Sequence, residues 1–402
     1  MERQHIAIFA LLTAGHMNPL LGLSAKLVER GHRVTFPADA GYASRVAQTG
    51  ATPFLWEPVS AEGTLGRVAA LEHQSIPDLE WWRLRASILY PWFLLNSAVE
   101  VSQLGATYAA DAPDLILYDR LAFAGRIIGN RLNAPLIQTY PHFAYYNGLL
   151  HRQDGVCSNP PPMLDFAKLL DDFLQAYGIS DTGNLWHTEK HNLFFIPRAF
   201  QFYQESFDDR YSFVGACLNR PFSRSWKSRD PERPLILVSD MAGARSPYFD
   251  LFIDSLSDLD AHVVLSIGAD LNAADLKALP SNFEINQHSS HLEILPHAAL
   301  AICQGGMGST LEALYHGVPV IALPLTRFHE EVAYRTAELG LGFSLPRQVV
   351  TADKIRECVA QALSDAVLKN RVKEMQPRFR AQDGAELAAN TIESFIANRR
   401  AK

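Results

Sequence analysis

Residues 299–323, ALAICQGGMGSTLEALYHGVPVIAL, constrain the fold more than any other stretch of the chain. Residues 299–303 form an apolar run too short for a helix and suited to a buried parallel strand. Gly305, Gly306 and Gly308 then permit a tight turn and close approach of a ligand to the backbone. Residues 309–316 have helical composition, with Leu311 and Leu314 spaced for one buried face. Gly317 can take the left-handed position after that helix, Pro319 forbids its continuation, and residues 318–323 read as the next strand. A helix that leaves a glycine turn at the carboxyl end of a strand offers free amides to an anion. Ser309 and Thr310 add hydroxyl donors at that place. The same pattern also serves ordinary strand–helix turns that need glycine only for geometry.

The rest of the chain repeats this grammar. Residues 6–12, 13–19, 20–30 and 31–36 read as strand, loop, amphipathic helix and strand. The alternation continues to residue 140 and resumes at Pro234, which argues for parallel sheets covered by helices. Residues 207–234 are polar, charged and proline-bearing, so they read as a linker. The expected division is residues 1–215 as a first domain, 216–233 as linker, 234–380 as a second domain and 381–402 as a helical tail. A length of 402 residues supports two cores of this kind.

A net charge of −7 gives no electrostatic footprint for nucleic acid. The four cysteines, at 157, 217, 303 and 358, lack paired spacing and fit a reduced cytoplasm. The apolar run at residues 6–12 reads as a first strand rather than a signal segment, and no span reaches membrane length. Aromatic side chains cluster at Trp81, Trp82, Tyr90, Trp92 and Phe93, and again at Tyr140, His142, Phe143, Tyr145 and Tyr146. Core packing accounts for such residues, and so would an apolar ligand pocket. A membrane-facing helix around Trp81 is disfavoured because Pro91 interrupts it.

Gly306, Ser309 and Glu312, followed by Gly317-Val318-Pro319 and Pro324, resemble the nucleotide-sugar motif of family 1 glycosyltransferases. The bacterial macrolide- and natural-product branch is the nearest likeness, and it extends over most of the chain. The resemblance implies an α/β GT-B fold, two Rossmann-like doubly wound domains facing a cleft, with the tail packed back on the first domain. It implies inverting sugar transfer from a nucleoside diphosphate sugar to a hydrophobic acceptor, with no metal and no resident cofactor, in a monomer or homodimer. Gly15-His16-Met17-Asn18-Pro19 matches the family's catalytic-histidine motif. Tyr118-Asp119 with Ala124-Gly125 matches the segment whose aspartate partners that histidine. His16 should therefore be the base, in the loop after the first strand, with Asp119 orienting it. An N-cap for a helix beginning near Ala122 is the plainer role for Asp119. The donor set carried over is His288, His291, Gln304, Gly306, Gly308, Ser309, Thr310, Glu312, Phe328 and His329.

Several of these positions depart from the family pattern. Gln304 stands where histidine is usual, and His288 and His291 replace a tryptophan and a glutamine. Phe328-His329 replaces an acid–glutamine pair that grips sugar hydroxyls, which suits a less hydroxylated sugar. Asp258-Leu259-Asp260 resembles a metal-binding triplet but reads as surface acid before an apolar strand. His187 and His191 lack the glutamate of a zinc protease helix. A nucleotide-sugar epimerase and a catalytically silent auxiliary protein are the rival readings.

Overall fold

The structure is a computed structural model and describes residues 2–60, 78–145, 150–152, 155–157, 162–180, 188–218, 226–239, 249–267, 279–287, 290–380 and 383–400. The chain divides into two compact units, Met1–Pro221 with Asp383–Lys402, and Phe222–Gln382.

In the first unit the strands are β1 (His5–Phe9), β2 (Arg33–Ala38), β3 (Thr52–Leu55), β4 (Leu115–Asp119) and β5 (Leu136–Tyr140). A short antiparallel hairpin follows, β6 (Leu150–Arg152) with β7 (Gly155–Cys157), then β8 (Asn192–Phe194) and β9 (Tyr211–Phe213). Seven of these form one all-parallel sheet in the order β3-β2-β1-β4-β5-β8-β9. Helices α1 (Ala14–Glu29), α2 (Ala40–Gln48), α3 (Asp78–Ala110), α4 (Phe123–Leu132) and α5 (Pro162–Ala176) connect the strands. Every residue of β1 and β4 is buried, as expected for central parallel strands covered on both faces. Alternation sorts their side chains: Ile6, Ile8, Leu115 and Leu117 join one core, and Ala7, Phe9, Ile116 and Tyr118 the other. Gly125 lets α4 lie directly on the sheet, because a Cβ there would sit 2.6 Å from Tyr118 Cβ and 2.9 Å from Phe9 Cβ.

The second unit contains β10 (Leu235–Ser239), α6 (Phe249–Leu256), β11 (His262–Ser266), β12 (Phe283–Asn286), α7 (His291–Ile294), β13 (Ala298–Cys303), α8 (Met307–Tyr315) and β14 (Val320–Ala322). It continues through α9 (Arg327–Glu338), β15 (Gly342–Ser344), α10 (Ala352–Ser364) and α11 (Ala366–Arg380). Its six-stranded sheet is also all parallel, in the order β12-β11-β10-β13-β14-β15. Each unit thus winds outward from its first strand in both directions. The order reverses between β1 and β4 in one unit and between β10 and β13 in the other. In open α/β sheets, ligands bind outside the carboxyl ends of the strands at that reversal.

The final helix, α12 (Gly384–Arg400), belongs to the first unit. Ala385, Ala388, Ala389, Ile392 and Ile396 enter the same core as Leu20, Leu23 and Leu27 of α1. Arg30 fixes this packing by pairing with Glu386 and, at 2.7 Å, with Glu393, which also meets His32 at 3.1 Å.

Four details differ from the reading of the sequence. Helix α1 begins at Ala14, so His16 stands in its first turn rather than in a loop, and Pro19 is carried inside the helix. Helix α3 runs unbroken through Pro91. Residues 211–213 are not linker but strand β9, paired with β8. Asp119 is the last residue of β4 rather than the residue after it. Among the described residues no helix is long and apolar enough to cross a membrane.

Candidate active site

The first unit's reversal point is occupied by a hydrogen-bonded histidine–aspartate pair. His16, carried by the start of α1 directly after β1, donates from Nδ1 to Asp119 Oδ2 at 2.7 Å. Asp119 is 1% exposed and His16 18%, so the carboxylate is sealed while the imidazole reaches solvent. The other carboxylate oxygen accepts the Leu121 amide at 2.9 Å. Helix α4 takes no side-chain cap from Asp119, because its N-cap is Ala122. Burial works to raise the Asp119 carboxyl, but the His16 charge and hydrogen bond together with the Leu121 amide outweigh it. The group is held below the usual carboxylate range.

A second histidine borders this pair. The His142 ring meets the His16 ring edge-on, with centroids 6.5 Å apart at 77°. Its Nδ1–H donates to the Phe143 carbonyl at 3.1 Å, and Arg120 Nη1 donates to its Nε2 at 3.5 Å. Burial, aided by the Arg120 and His16 charges, drives His142 down to about 3, so it stays neutral. Arg120 also lies over the Tyr145 ring, 5.5 Å from its centroid. The sequence placed His142 among pocket aromatics but gave no sign of its contact with His16. No local motif could carry that signal, since the two rings come from α1 and the segment after β5. Other members of the aromatic cluster pack internally: Tyr90 stacks on Phe166, Tyr140 on Phe194, and Phe143 on Phe200. The side chains of Trp81 and Trp82, and all of Tyr146 and His187, lie outside the described residues.

The second unit's reversal point is built differently. Strand β13 ends at Cys303, and Gly305 follows with φ +75, where a Cβ would meet the His329 carbonyl at 2.8 Å. Gly305 is therefore the glycine the turn cannot replace. At Gly306 and Gly308 a Cβ would meet nothing within 4 Å, so these two leave the outer side of the turn open. The first helical bond of α8 runs from the Thr310 amide to the Gly306 carbonyl at 3.0 Å. The amides of Met307, Gly308 and Ser309 lie ahead of it, at the positive end of the helix dipole.

The Thr310 hydroxyl faces inward. It is fully buried, with Oγ1 3.9 Å from Cys303 Sγ, and the turn's Gly305 amide donates to that sulfur at 3.4 Å. Burial raises the Cys303 thiol and keeps it protonated. Glu312, 4% exposed, faces inward from α8, and His291 Nδ1 lies 3.6 Å from its Oε2. The other His291 nitrogen meets Ser266 Oγ at 3.0 Å. His291 thus acts on Glu312 and β11 rather than presenting a free ring edge. Gln304 is half-buried beside the turn, and His288 lies outside the described residues. Phe328 and His329 form the first turn of α9, whose Thr326 cap accepts the His329 amide at 3.3 Å. Phe328 is 38% exposed. Asp258 and Asp260 precede β11 at the opposite, amino-terminal edge of the sheet, where Asp260 pairs with Arg233 at 3.0 Å. Among the described residues no cluster of three His, Cys, Asp or Glu side chains could hold a metal ion.

Solved structures share this architecture along the whole chain. The calicheamicin glycosyltransferase CalG4 matches with a TM-score of 0.79 and 27% identity over 99% of both chains. The glycosyltransferase of kitacinnamycin matches at 0.80 and 27%, over 98% of this chain and 99% of that one. The class is that of GT-B glycosyltransferases, enzymes built from two parallel-sheet α/β domains. Residues 250–393 match the family model of the erythromycin biosynthesis protein CIII-like C-terminal domain. The NDP-glycosyltransferase YjiC of Bacillus licheniformis is 34% identical over 99% of both chains. The demethyllactenocin mycarosyltransferase of Streptomyces fradiae is 30% identical over 98% of this chain and 87% of its own. The chain belongs to the bacterial natural-product branch of the family 1 glycosyltransferases.

Proposed function

We propose that the protein transfers a sugar from a nucleoside diphosphate sugar to a hydroxyl of a hydrophobic natural product, with inversion at the anomeric carbon. The observation that carries this reading is the 2.7 Å contact of His16 with a sealed, ionised Asp119 at the reversal point of the first sheet. With Nδ1–H committed to Asp119, Nε2 presents its lone pair to an acceptor hydroxyl. Nε2 takes the hydroxyl proton as the oxygen attacks the anomeric carbon. The bond to the diphosphate breaks on the opposite side, and the departing phosphate oxygen keeps the electron pair. Asp119 stabilises the imidazolium so formed. In-line displacement of an α-linked donor gives a β-linked product.

The amides of Met307, Gly308 and Ser309, with Gln304 beside them, receive the diphosphate. Glu312, steadied by His291, accepts the two ribose hydroxyls. Phe328 presents an apolar face next to the turn, which favours a uridine or thymidine diphosphate deoxysugar over the more hydroxylated glucose donor. Relatives named for demethyllactenocin, oleandomycin and 4'-demethylrebeccamycin support a bulky, largely apolar acceptor such as a macrolide, polyketide or flavonoid.

The test has two parts. Calorimetry with UDP, TDP and GDP on the whole chain, then with the matching sugar nucleotides, identifies the donor class. His16→Ala should abolish transfer while leaving nucleotide affinity nearly unchanged. Retained transfer in that variant removes His16 as base. Failure of all three nucleotides to bind the wild-type protein favours a silent auxiliary role.

A further inference from the structure

Beyond Tyr140 the first sheet stops organising its own edge. Strands β5 and β8 stay paired as far as the Phe195 amide, which donates to the Tyr140 carbonyl at 2.9 Å. The chain after β8 then passes through a short 3-10 turn at Arg198–Phe200, and residues 141–145 follow β5 as irregular chain. That segment still needs a fixed backbone, because it carries His142 to its edge-on contact with the His16 ring, centroids 6.5 Å apart.

One side chain stands in for the missing strand. Gln201 is 1% exposed, its Oε1 accepts the Ala144 amide at 2.9 Å, and its Nε2 donates to the Ala144 carbonyl at 2.9 Å. The same Nε2 donates to the Phe202 carbonyl at 2.8 Å. An amide N–H only donates and a carbonyl only accepts, so these partners fix which end of the carboxamide faces which. Among the described residues Ala144, itself 5% exposed, has no other hydrogen-bond partner. Without the carboxamide both of its main-chain groups would be buried and unpaired, which costs more than the bonds themselves. Rings complete the seat: Phe143 stacks on Phe200 with centroids 5.5 Å apart and lies 4.8 Å from Phe202. The main chain is thus gripped at Ala144 and anchored at Phe143, directly beside His142.

We propose that Gln201 is a positioning residue for the site: by pairing with Ala144 as a strand would, it holds His142 as a wall beside His16 and so fixes the acceptor side. It acts through the main chain of its neighbour and exchanges no proton. The acceptor-side role rests on the reading of His16 as base, so two of the three measurements need neither donor nor acceptor.

The experiment compares the full chain with its Gln201→Met variant, in which methionine keeps the side chain's length and removes its donor and acceptor. Hydrogen exchange read by mass spectrometry should speed by about tenfold or more across residues 141–145, with β1 unchanged. Labelling by diethyl pyrocarbonate at fixed pH should run several-fold faster at His16, while exposed His297 of the second unit keeps its rate as internal standard. His142→Ala removes the wall and leaves the clamp, so it should speed His16 labelling without speeding exchange at 141–145. In turnover with the sugar nucleotide that calorimetry selects and a macrolide aglycone, Gln201→Met should raise the aglycone KM about tenfold, with kcat and donor KM within about twofold. Gln201→Glu still accepts the Ala144 amide but turns a carboxylate on the two carbonyls. It should move the same readings the same way, and serves if the methionine variant does not fold. Unchanged exchange at 141–145, unchanged His16 labelling or an unchanged aglycone KM overturns the proposal, as does labelling that rises equally at His297. Transfer that survives His16→Ala sinks the base reading instead, and exchange and labelling still decide the clamp.

Discussion

The two sheets of this enzyme share one winding order and place a candidate site at the same topological point, yet they furnish it by opposite means. At β1/β4 the candidate site consists of side chains, His16 and a sealed Asp119, which the backbone delivers and the Leu121 amide steadies. At β10/β13 it consists of backbone, the turn after Cys303 and the first amides of α8, with the buried carboxylate of Glu312 on the same helix. Proton transfer needs a group whose charge changes at neutral pH, and only a side chain provides one. A diphosphate needs fixed positive dipoles that never titrate, which a helix terminus provides without a counter-ion. A common scaffold thus becomes two instruments through the choice of which atoms face the crevice.

If the contrast is sound, the first site should fail through chemistry and the second through geometry. The largest effect is expected from Asp119→Asn, which keeps the shape but lets the amide present the wrong hydrogen-bonding group to His16. Steady-state kinetics should show the transfer rate lower by roughly a thousandfold or more, with nucleotide affinity intact. A near-normal rate would deny Asp119 its part. Next comes Gly305→Val, where a side chain must enter the left-handed region against the His329 carbonyl. Thermal unfolding should report a loss on the order of 3 kcal/mol, and nucleotide binding should vanish with the turn. Gly308→Ala, with open space around its Cβ, should leave stability almost unchanged and sets the control.

Smaller effects sharpen the contrast. Glu312→Ala should weaken donor nucleotide by about tenfold or somewhat more in calorimetry, the size of lost hydrogen bonds to a charged group. Unchanged affinity would remove Glu312 from the ribose site. Stability against acid should also carry a mark of Asp119. Its folded-state carboxyl lies below the unfolded value near 3.9, so its contribution is present above that pH and is lost as pH falls through the folded value. Asp119→Asn should flatten that part of the acid unfolding curve. The smallest effect belongs to Thr310→Val. Because Thr310 Oγ1 faces Cys303 Sγ in the interior, donor affinity should change by less than about twofold. A large loss would return the hydroxyl to the phosphate site.

The fold was legible because its signals are local: apolar runs of strand length, glycine after α8, and the alternation of elements on both sides of the polar stretch. Placement of side chains relative to each other was legible only where a motif encoded it. His16 and Asp119 could be paired through the resemblance, although α1 starts six residues earlier than the apolar periodicity of residues 20–30 indicates, because the stretch 13–19 read as loop is helical from Ala14 and Pro19 is tolerated inside it. The direction of Thr310 could not be read, because a hydroxyl at a helix start looks the same whether it faces out or in. Its direction is set by α8's burial against β13, a tertiary matter. His142 was invisible as a neighbour of His16 because their contact spans more than a hundred residues and depends on where the segment after β5 turns.

The return of α12 has a consequence for how the molecule is made. Its alanine and isoleucine side chains are part of the same core as α1, so the unit that starts at the amino terminus lacks one of its walls until residue 396 has been synthesised. The second unit, continuous from Phe222 to Gln382, is complete earlier. On a ribosome the order of synthesis and the order of closure are therefore reversed. The histidine-bearing half completes its core only when residues 384–400 join α1.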